Sequence, residues 1–162
     1  MKRFGHLRVF TGNGYGRFNP LSNQGDPVVT PIDAVTLATD KTISSGYPAY
    51  EDVTGLTCSF TTVTANQSVN IYVEASALSA GANATAFMAY NLNGGADVVV
   101  PDVFSFTAGG YGNLSTIIRI KPSTPATYNF QLRAAKGTTN FTFGSTGGSA
   151  EMPATIFGEV LA

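Results

Sequence analysis

The chain has 162 residues, a formal net charge of −1, one cysteine, one histidine, and charged residues at only 12%. An ordinary soluble domain carries about 25% charged residues. One cysteine excludes an internal disulfide scaffold and one histidine excludes a multi-histidine metal site. The charge is unevenly placed. Lys2, Arg3, Arg8 and Arg17 fall in the first 25 residues, which hold no acid, while the other five basic residues and all ten acids follow. A basic leading segment on a mildly acidic body suits contact with an acidic surface, or simply keeps a terminus soluble.

Residues 1–40 read as an extended N-terminal arm and 41–162 as one β-sandwich domain. Gly12, Gly14, Gly16, Pro20, Gly25, Pro27 and Pro31 interrupt any helix or long strand in the arm. Phe4, Leu7, Phe10, Tyr15 and Phe18 are too apolar for a plain linker. They are assigned to a groove in a neighbouring subunit or partner, the alternative being an arm folded back over its own domain. Neither a signal-peptide core nor a run of ~20 apolar residues is visible, so synthesis in a cytoplasm is expected, with no membrane partner.

Residues 32–39 form a short apolar alternation, a first strand or a helical turn. Strands are then predicted at 52–63, 68–77, 85–91, 97–100, 103–107, 115–121, 127–134, 140–145 and 154–161. Turn signals separate them, among them Asn93-Gly94-Gly95, Gly109-Gly110 and Lys136-Gly137. The clearest strand places Tyr128, Phe130, Leu132 and Ala134 on one face and Asn129, Gln131 and Arg133 on the other. Its partner, 115–121, carries Ile117, Ile118 and Ile120 and reads as buried on both sides over part of its length. Val69, Ile71, Val73, Ala75 and Ala77 make one inward face. In the next strand Phe87 and Ala89 lie on one side and Met88 and Tyr90 on the other, so both sides are expected to be covered, as a subunit interface would do. Eight or nine short strands at this spacing predict an all-β, antiparallel, jelly-roll-like sandwich.

Catalysis and metal binding find little support in the pattern. His6 lies in the Gly-rich arm, and no G-x-S-x-G elbow is present. Cys58 alternates with Leu56 and Phe60 and reads as a buried small hydrophobe. Glu51, Asp52, Asp97, Asp102 and Glu151 read as solvated acids, with a glycosidase pair as the alternative. The run from Gly12 to Gly16 lacks the helix a phosphate loop needs, and aromatics are not interleaved with a basic patch, so no nucleic-acid partner is expected. No enzyme activity, cofactor or metal is predicted.

Two stretches carry a family resemblance. P-A-T-Y-N-F-Q-L-R-A-A-K-G at 125–137 and A-T-I-F-G-E-V-L-A at 154–162 resemble strands of the TNF/C1q-like jelly rolls. The Thr/Gly/Asn-rich strands, low charge and basic arm of the whole chain are similar to small jelly-roll virion proteins of tailed phages, which decorate capsids or tip fibres. That resemblance implies a virion location, self-association as a homotrimer, and a major capsid protein or other virion proteins as partners. The role implied is capsid decoration (cement), stabilising the head by subunit contacts. The alternative is a fibre or tail-tip module recognising a host glycan through the loops 91–95 and 108–113. Interface candidates are Phe4, Leu7, Phe10, Tyr15 and Phe18 of the arm and Tyr90, Tyr128, Phe130 and Phe157 of the sandwich.

Overall fold

The computed structural model describes residues 29–79, 81–145 and 152–162. Ten strands form: β1 (Thr30–Thr36), β2 (Lys41–Ile43), β3 (Glu51–Thr61), β4 (Val69–Ser79), β5 (Ala84–Leu92), β6 (Val98–Phe106), β7 (Tyr111–Ile120), β8 (Thr127–Lys136), β9 (Phe141–Phe143) and β10 (Thr155–Val160). No helix occurs among the described residues. The chain is all-β, with two antiparallel sheets packed as a sandwich.

The pairing follows a single rule. β5 pairs with β6, β4 with β7, β3 with β8, β2 with β9 and β1 with β10, all antiparallel. The chain is therefore one long doubled ribbon. Its tip is the turn from Leu92 to Gly95, where Asn93 and Gly94 have φ of 53° and 69° and the Gly95 N–H donates to the Leu92 carbonyl at 3.0 Å. Two positive φ values in succession define a type I′ turn, whose twist matches that of paired strands and which favours Asn-Gly. Folding the ribbon over itself adds the ladders β10–β4, β4–β9 and β5–β8. The result is one sheet in the order β1-β10-β4-β7, with β9 and β2 continuing along the far half of β4, and a second sheet in the order β3-β8-β5-β6. A doubled ribbon wound in this way is a jelly roll.

The core lies between the sheets. Alternation places Val69, Ile71, Val73, Ala75 and Ala77 of β4 inward, all fully buried. Facing them are Phe130, Leu132 and Ala134 of β8 and Ala86 and Met88 of β5, with Phe141, Phe143 and Ile156 completing the layer. Cys58 is buried among them as a free thiol, and burial pushes its pKa up to about 11.

Several expectations change in the folded chain. β7 and β8 belong to opposite sheets, so 115–121 is not the ladder partner of 127–134. β7 is also not buried on both sides. It alternates strictly, with Ile118 and Ile120 inside and Ile117 outside at 48% exposure. The segments 97–100 and 103–107 join into one strand, β6. Pro101 does not break it, because β6 is an edge strand and its register against β5 shifts where Pro101 sits, a place where no ladder N–H is required. β1 lies within the segment read as an arm; residues 1–28, including Phe4, His6, Leu7, Phe10, Tyr15 and Phe18, lie outside the described residues, as does Glu151.

The outer apolar side of β5 is covered by the chain itself. Tyr47, from the loop before β3, packs on Phe87 with ring centroids 4.6 Å apart, and Ala89 beneath is fully buried. Glu51 fixes this loop. Its carboxylate accepts from the Ser45 N–H at 2.7 Å, from the Ser44 N–H, and from Lys41 Nζ at 3.0 Å. Burial alone would raise the pKa of Glu51, but the Ser45 and Ser44 amides and the Lys41 ammonium outweigh it and lower the pKa to about 2 from 4.5. A depressed folded-state pKa means the unfolded chain binds the proton more tightly. The stabilisation is full above the unfolded value and is lost as pH falls from about 4.5 towards 2. Melting temperature followed across that acid range is expected to fall less steeply in Glu51→Gln than in the wild type. Parallel curves would mean the clamp is not formed.

A second device shapes the outer side of the β3–β8–β5 region. Between Asp52 and Thr57, β3 loses register with β8 and bulges. The Gln131 Nε2 donates to the carbonyls of Val53 (3.2 Å), Leu56 (3.4 Å) and Leu132 (2.8 Å), replacing ladder bonds the bulge removes. Gln131→Ala leaves these acceptors without that donor and is expected to cost about 1–3 kcal/mol in urea unfolding. A cost within experimental error of zero would show that water satisfies the bulge equally well.

Candidate functional site

At one side of the sandwich the edge strands β1 and β3 pack together; at the other, β6 and β7 are edge strands with a groove between them. The groove has a volume of about 680 Å³ and is lined by Tyr90, residues 98–102 of β6 and residues 115–119 of β7. Its floor carries one polar link, from the Thr116 hydroxyl to the Asp102 carboxylate. Its rims are apolar and open: Val98, Val99 and Ile117 are each about half exposed, and Val103 continues the row at 56%. Unpaired edge backbone beside exposed branched aliphatics is the combination that natural sandwiches usually blunt with charge. Here β6 offers only Pro101 and Asp102 for that purpose.

Register extends this surface across the outer face of the β1-β10-β4-β7 sheet. Phe157 of β10 stands opposite Tyr72 of β4, and Tyr72 opposite Ile117 of β7. The Tyr72 and Phe157 rings stack at 5.0 Å with 11° between planes. One row away, Glu159 faces Asn70 and Asn70 faces Arg119. Glu159 Oε1 accepts from Asn70 Nδ2 (3.0 Å) and from the Tyr72 hydroxyl (2.9 Å), and this bond to Glu159 raises the Tyr72 pKa above 10. An apolar row bordered by a polar one, and continuous with an open apolar edge, has the anatomy of a protein-binding surface.

The predicted interface residues are scattered. Phe157 lies on this surface, partly buried. Tyr90 lines the base of the groove at 9% exposure and stacks on Phe130 at 5.5 Å. Phe130 itself is completely buried and reaches no surface, because β8 is flanked on both sides and its inward face is sealed by the opposite sheet. Tyr128 packs on Phe60 (5.5 Å) and donates its hydroxyl proton to the Thr124 carbonyl (2.8 Å). Sequence reading missed Val98, Val99, Val103, Ile117 and Tyr72. The available signal was V-V-V-P-D-V, a strand apolar on both parities but broken by Pro and Asp, which only an edge strand tolerates.

Two of the acids share one cation and the others stand apart. Asp97 and Asp52 both pair with Arg133, at 3.0 and 3.2 Å, Asp102 is held by Thr116, and Glu51 is held as described above. Among the described residues no group of three or more His, Cys, Asp or Glu is placed to hold a metal ion.

The loops 91–95 and 108–113 do not form one site. β5 runs nine residues between their ends, which separates them by roughly 30 Å at ~3.3 Å per residue. Ala108 is instead tied to the β4–β5 end, its N–H donating to Asn83 Oδ1 at 3.0 Å. The 91–95 end does line a second pocket, of about 510 Å³, on the outer face of the β3-β8-β5-β6 sheet.

No protein-family model and no curated protein sequence matches the chain. Among solved structures it is similar to that of infectious bursal disease virus Gx strain, with a TM-score of 0.48 and 16% identity over 95% of this chain and 46% of that one. It is also similar to a mutant VP2 protein of infectious bursal disease virus in T=1 particles (TM-score 0.45, 14% identity, 96% and 48% covered) and to the Gt strain of the same virus (0.42, 15%, 96% and 45%). The chain spans about half the length of these structures.

Proposed function

We propose that this protein is a structural component of a virion and acts by adhesion, as a capsid decoration (cement) subunit of a tailed phage. The observation that carries the reading is the open β6–β7 edge with Val98, Val99, Val103 and Ile117 exposed beside the Phe157–Tyr72 row. Jelly rolls serve viral capsids and lectins alike, so the fold alone does not choose between roles. An apolar edge does favour association. Burying such surface contributes about 25 cal/mol per Å², and a symmetric array multiplies a modest contact into a durable one. Copies of the chain associate as a homotrimer through this edge. Residues 1–28, with their aromatic side chains and four basic residues, supply a second contact, which an acidic shell surface would favour. No catalytic step belongs to this role.

Quantitative mass spectrometry of purified virions tests the proposal. A decoration subunit is expected in a fixed ratio to the major shell protein throughout the head. A few copies per particle, confined to the tail, would overturn decoration in favour of a fibre or tail-tip role.

A further inference from the structure

On the face opposite the Tyr72–Phe157 row, near the ribbon tip, the outward side chains of three strands are almost entirely neutral and polar. Register sets Asn91 of β5 opposite Gln131 of β8, and Gln131 opposite Thr57 of β3. One row nearer the tip, Asn129 faces Ser59 and lies beside Asn93. All of these except Ser59, with Asp52, Gly94 and Phe130, line the 510 Å³ pocket, a volume within the usual range for small-ligand sites.

Most of the lining is fixed in place. Asn93 Oδ1 accepts from the Asn129 N–H (2.8 Å), Asn129 Oδ1 accepts from the Ser59 hydroxyl (2.7 Å), and Gln131 Nε2 donates to the carbonyls of Val53 in the β3 bulge and of Leu132. Each of these amides then has its other end uncommitted: the Nδ2 of Asn93, the Nδ2 of Asn129 and the Oε1 of Gln131. Asn91 differs. Only 6% of the residue is exposed, but its carboxamide atoms are not among the buried unpartnered ones and so open to the pocket. Solvent meets such a group in the free protein, and a ligand bearing hydroxyls can take its place.

The chemistry narrows what that ligand is. A carboxamide both donates and accepts, as does a hydroxyl. An anion is disfavoured, because Asp52 lines the pocket and the nearby Arg133 is already engaged by Asp52, Asp97 and the Tyr50 carbonyl. A purely apolar ligand would leave the carboxamides unmet, while the apolar surface between them suits the C–H face of a sugar ring. We infer that this pocket binds a neutral saccharide, its hydroxyls meeting Asn91, Asn93, Asn129 and Gln131. The site goes beyond the adhesive role and does not depend on it. Without an aromatic platform a single site binds weakly, and many copies on one particle would raise the avidity.

Saturation-transfer NMR on the full chain tests the inference, using lactose, maltose, cellobiose and N,N′-diacetylchitobiose separately, with glucuronic acid as the charged comparison. At least one neutral disaccharide is expected to receive saturation and glucuronic acid none. Asn91→Leu, which keeps the shape and removes both hydrogen-bonding ends, is expected to weaken that binding about tenfold or more. Asn93→Gly, which keeps the positive φ of the turn, is the second variant should the first fold poorly. Val63→Lys, at a 75% exposed position outside both the pocket and the β6–β7 edge, is expected to bind saccharide as the wild type does. No transfer to any neutral disaccharide, or transfer unchanged in the folded Asn91 and Asn93 variants, would overturn the site and leave a pocket filled by water alone.

Discussion

Phe130→Ala is expected to destabilise the isolated chain by about 3–5 kcal/mol, the range for deleting a large aromatic from a packed core. The side chain is fully buried, stacks on Tyr90, and sits on β8 between Cys58 of β3 and Leu92 of β5. Since domains are stable by only about 5–15 kcal/mol, the variant should unfold at markedly lower urea, if it folds at all. Phe157→Ala makes the contrast. Its ring lies on the outer face against Tyr72, so most of the loss should appear in association and little in the stability of the single chain. A Phe130→Ala variant as stable as the wild type would mean that β8 does not occupy the centre of its sheet.

The second large effect is expected in self-association. Val99→Asp combined with Ile117→Asp puts a carboxylate on each rim of the β6–β7 groove, both at positions about half exposed in the single chain. Folding should change little, because surface substitutions away from packed features usually stay within about 0.5 kcal/mol. Association should weaken by about 2 kcal/mol or more per site, the scale of an interface hot spot, which is roughly 30-fold for each. Sedimentation equilibrium of wild type and double variant measures this directly. Equal association constants would remove the β6–β7 edge from the interface.

The strands were legible because alternation is a local property. Val69, Ile71, Val73, Ala75 and Ala77 announce an inward face, and all five are fully buried. Asn93-Gly94 announces a tight hairpin turn and forms the ribbon tip. The ladder partners were not legible, because pairing depends on how the ribbon folds back on itself. Tyr128 to Ala134 could be read as a strand, but that it lies between β3 and β5, and not beside β7, is a statement about the whole wound ribbon. The same gap explains the misplaced site residues. Alternation groups Phe130 with Leu132 and Ala134 on one apolar face, but it does not tell whether that face meets the opposite sheet or another subunit; Phe157, by contrast, lies on the outer face. The second apolar side of β5 was seen correctly, but Tyr47, forty residues away in sequence, covers Phe87 from within the same chain. Ile117 was hidden by its neighbours: in I-I-R-I the local pattern suggests uniform burial, but β7 alternates and puts that side chain on the outer face of an edge strand.

Hydrogen exchange of the full-length wild-type chain, read strand by strand at high and low protein concentration, tests the adhesive edge most directly. Edge-strand amides without a ladder partner exchange quickly unless another chain covers them. The amides of β6 and β7 are expected to be protected at high concentration and to lose that protection on dilution, while β1 and β3 are unchanged. Identical exchange of β6 and β7 at both concentrations, or concentration-dependent protection of β1 and β3 instead, would contradict the assignment of the β6–β7 edge as the surface through which this protein assembles.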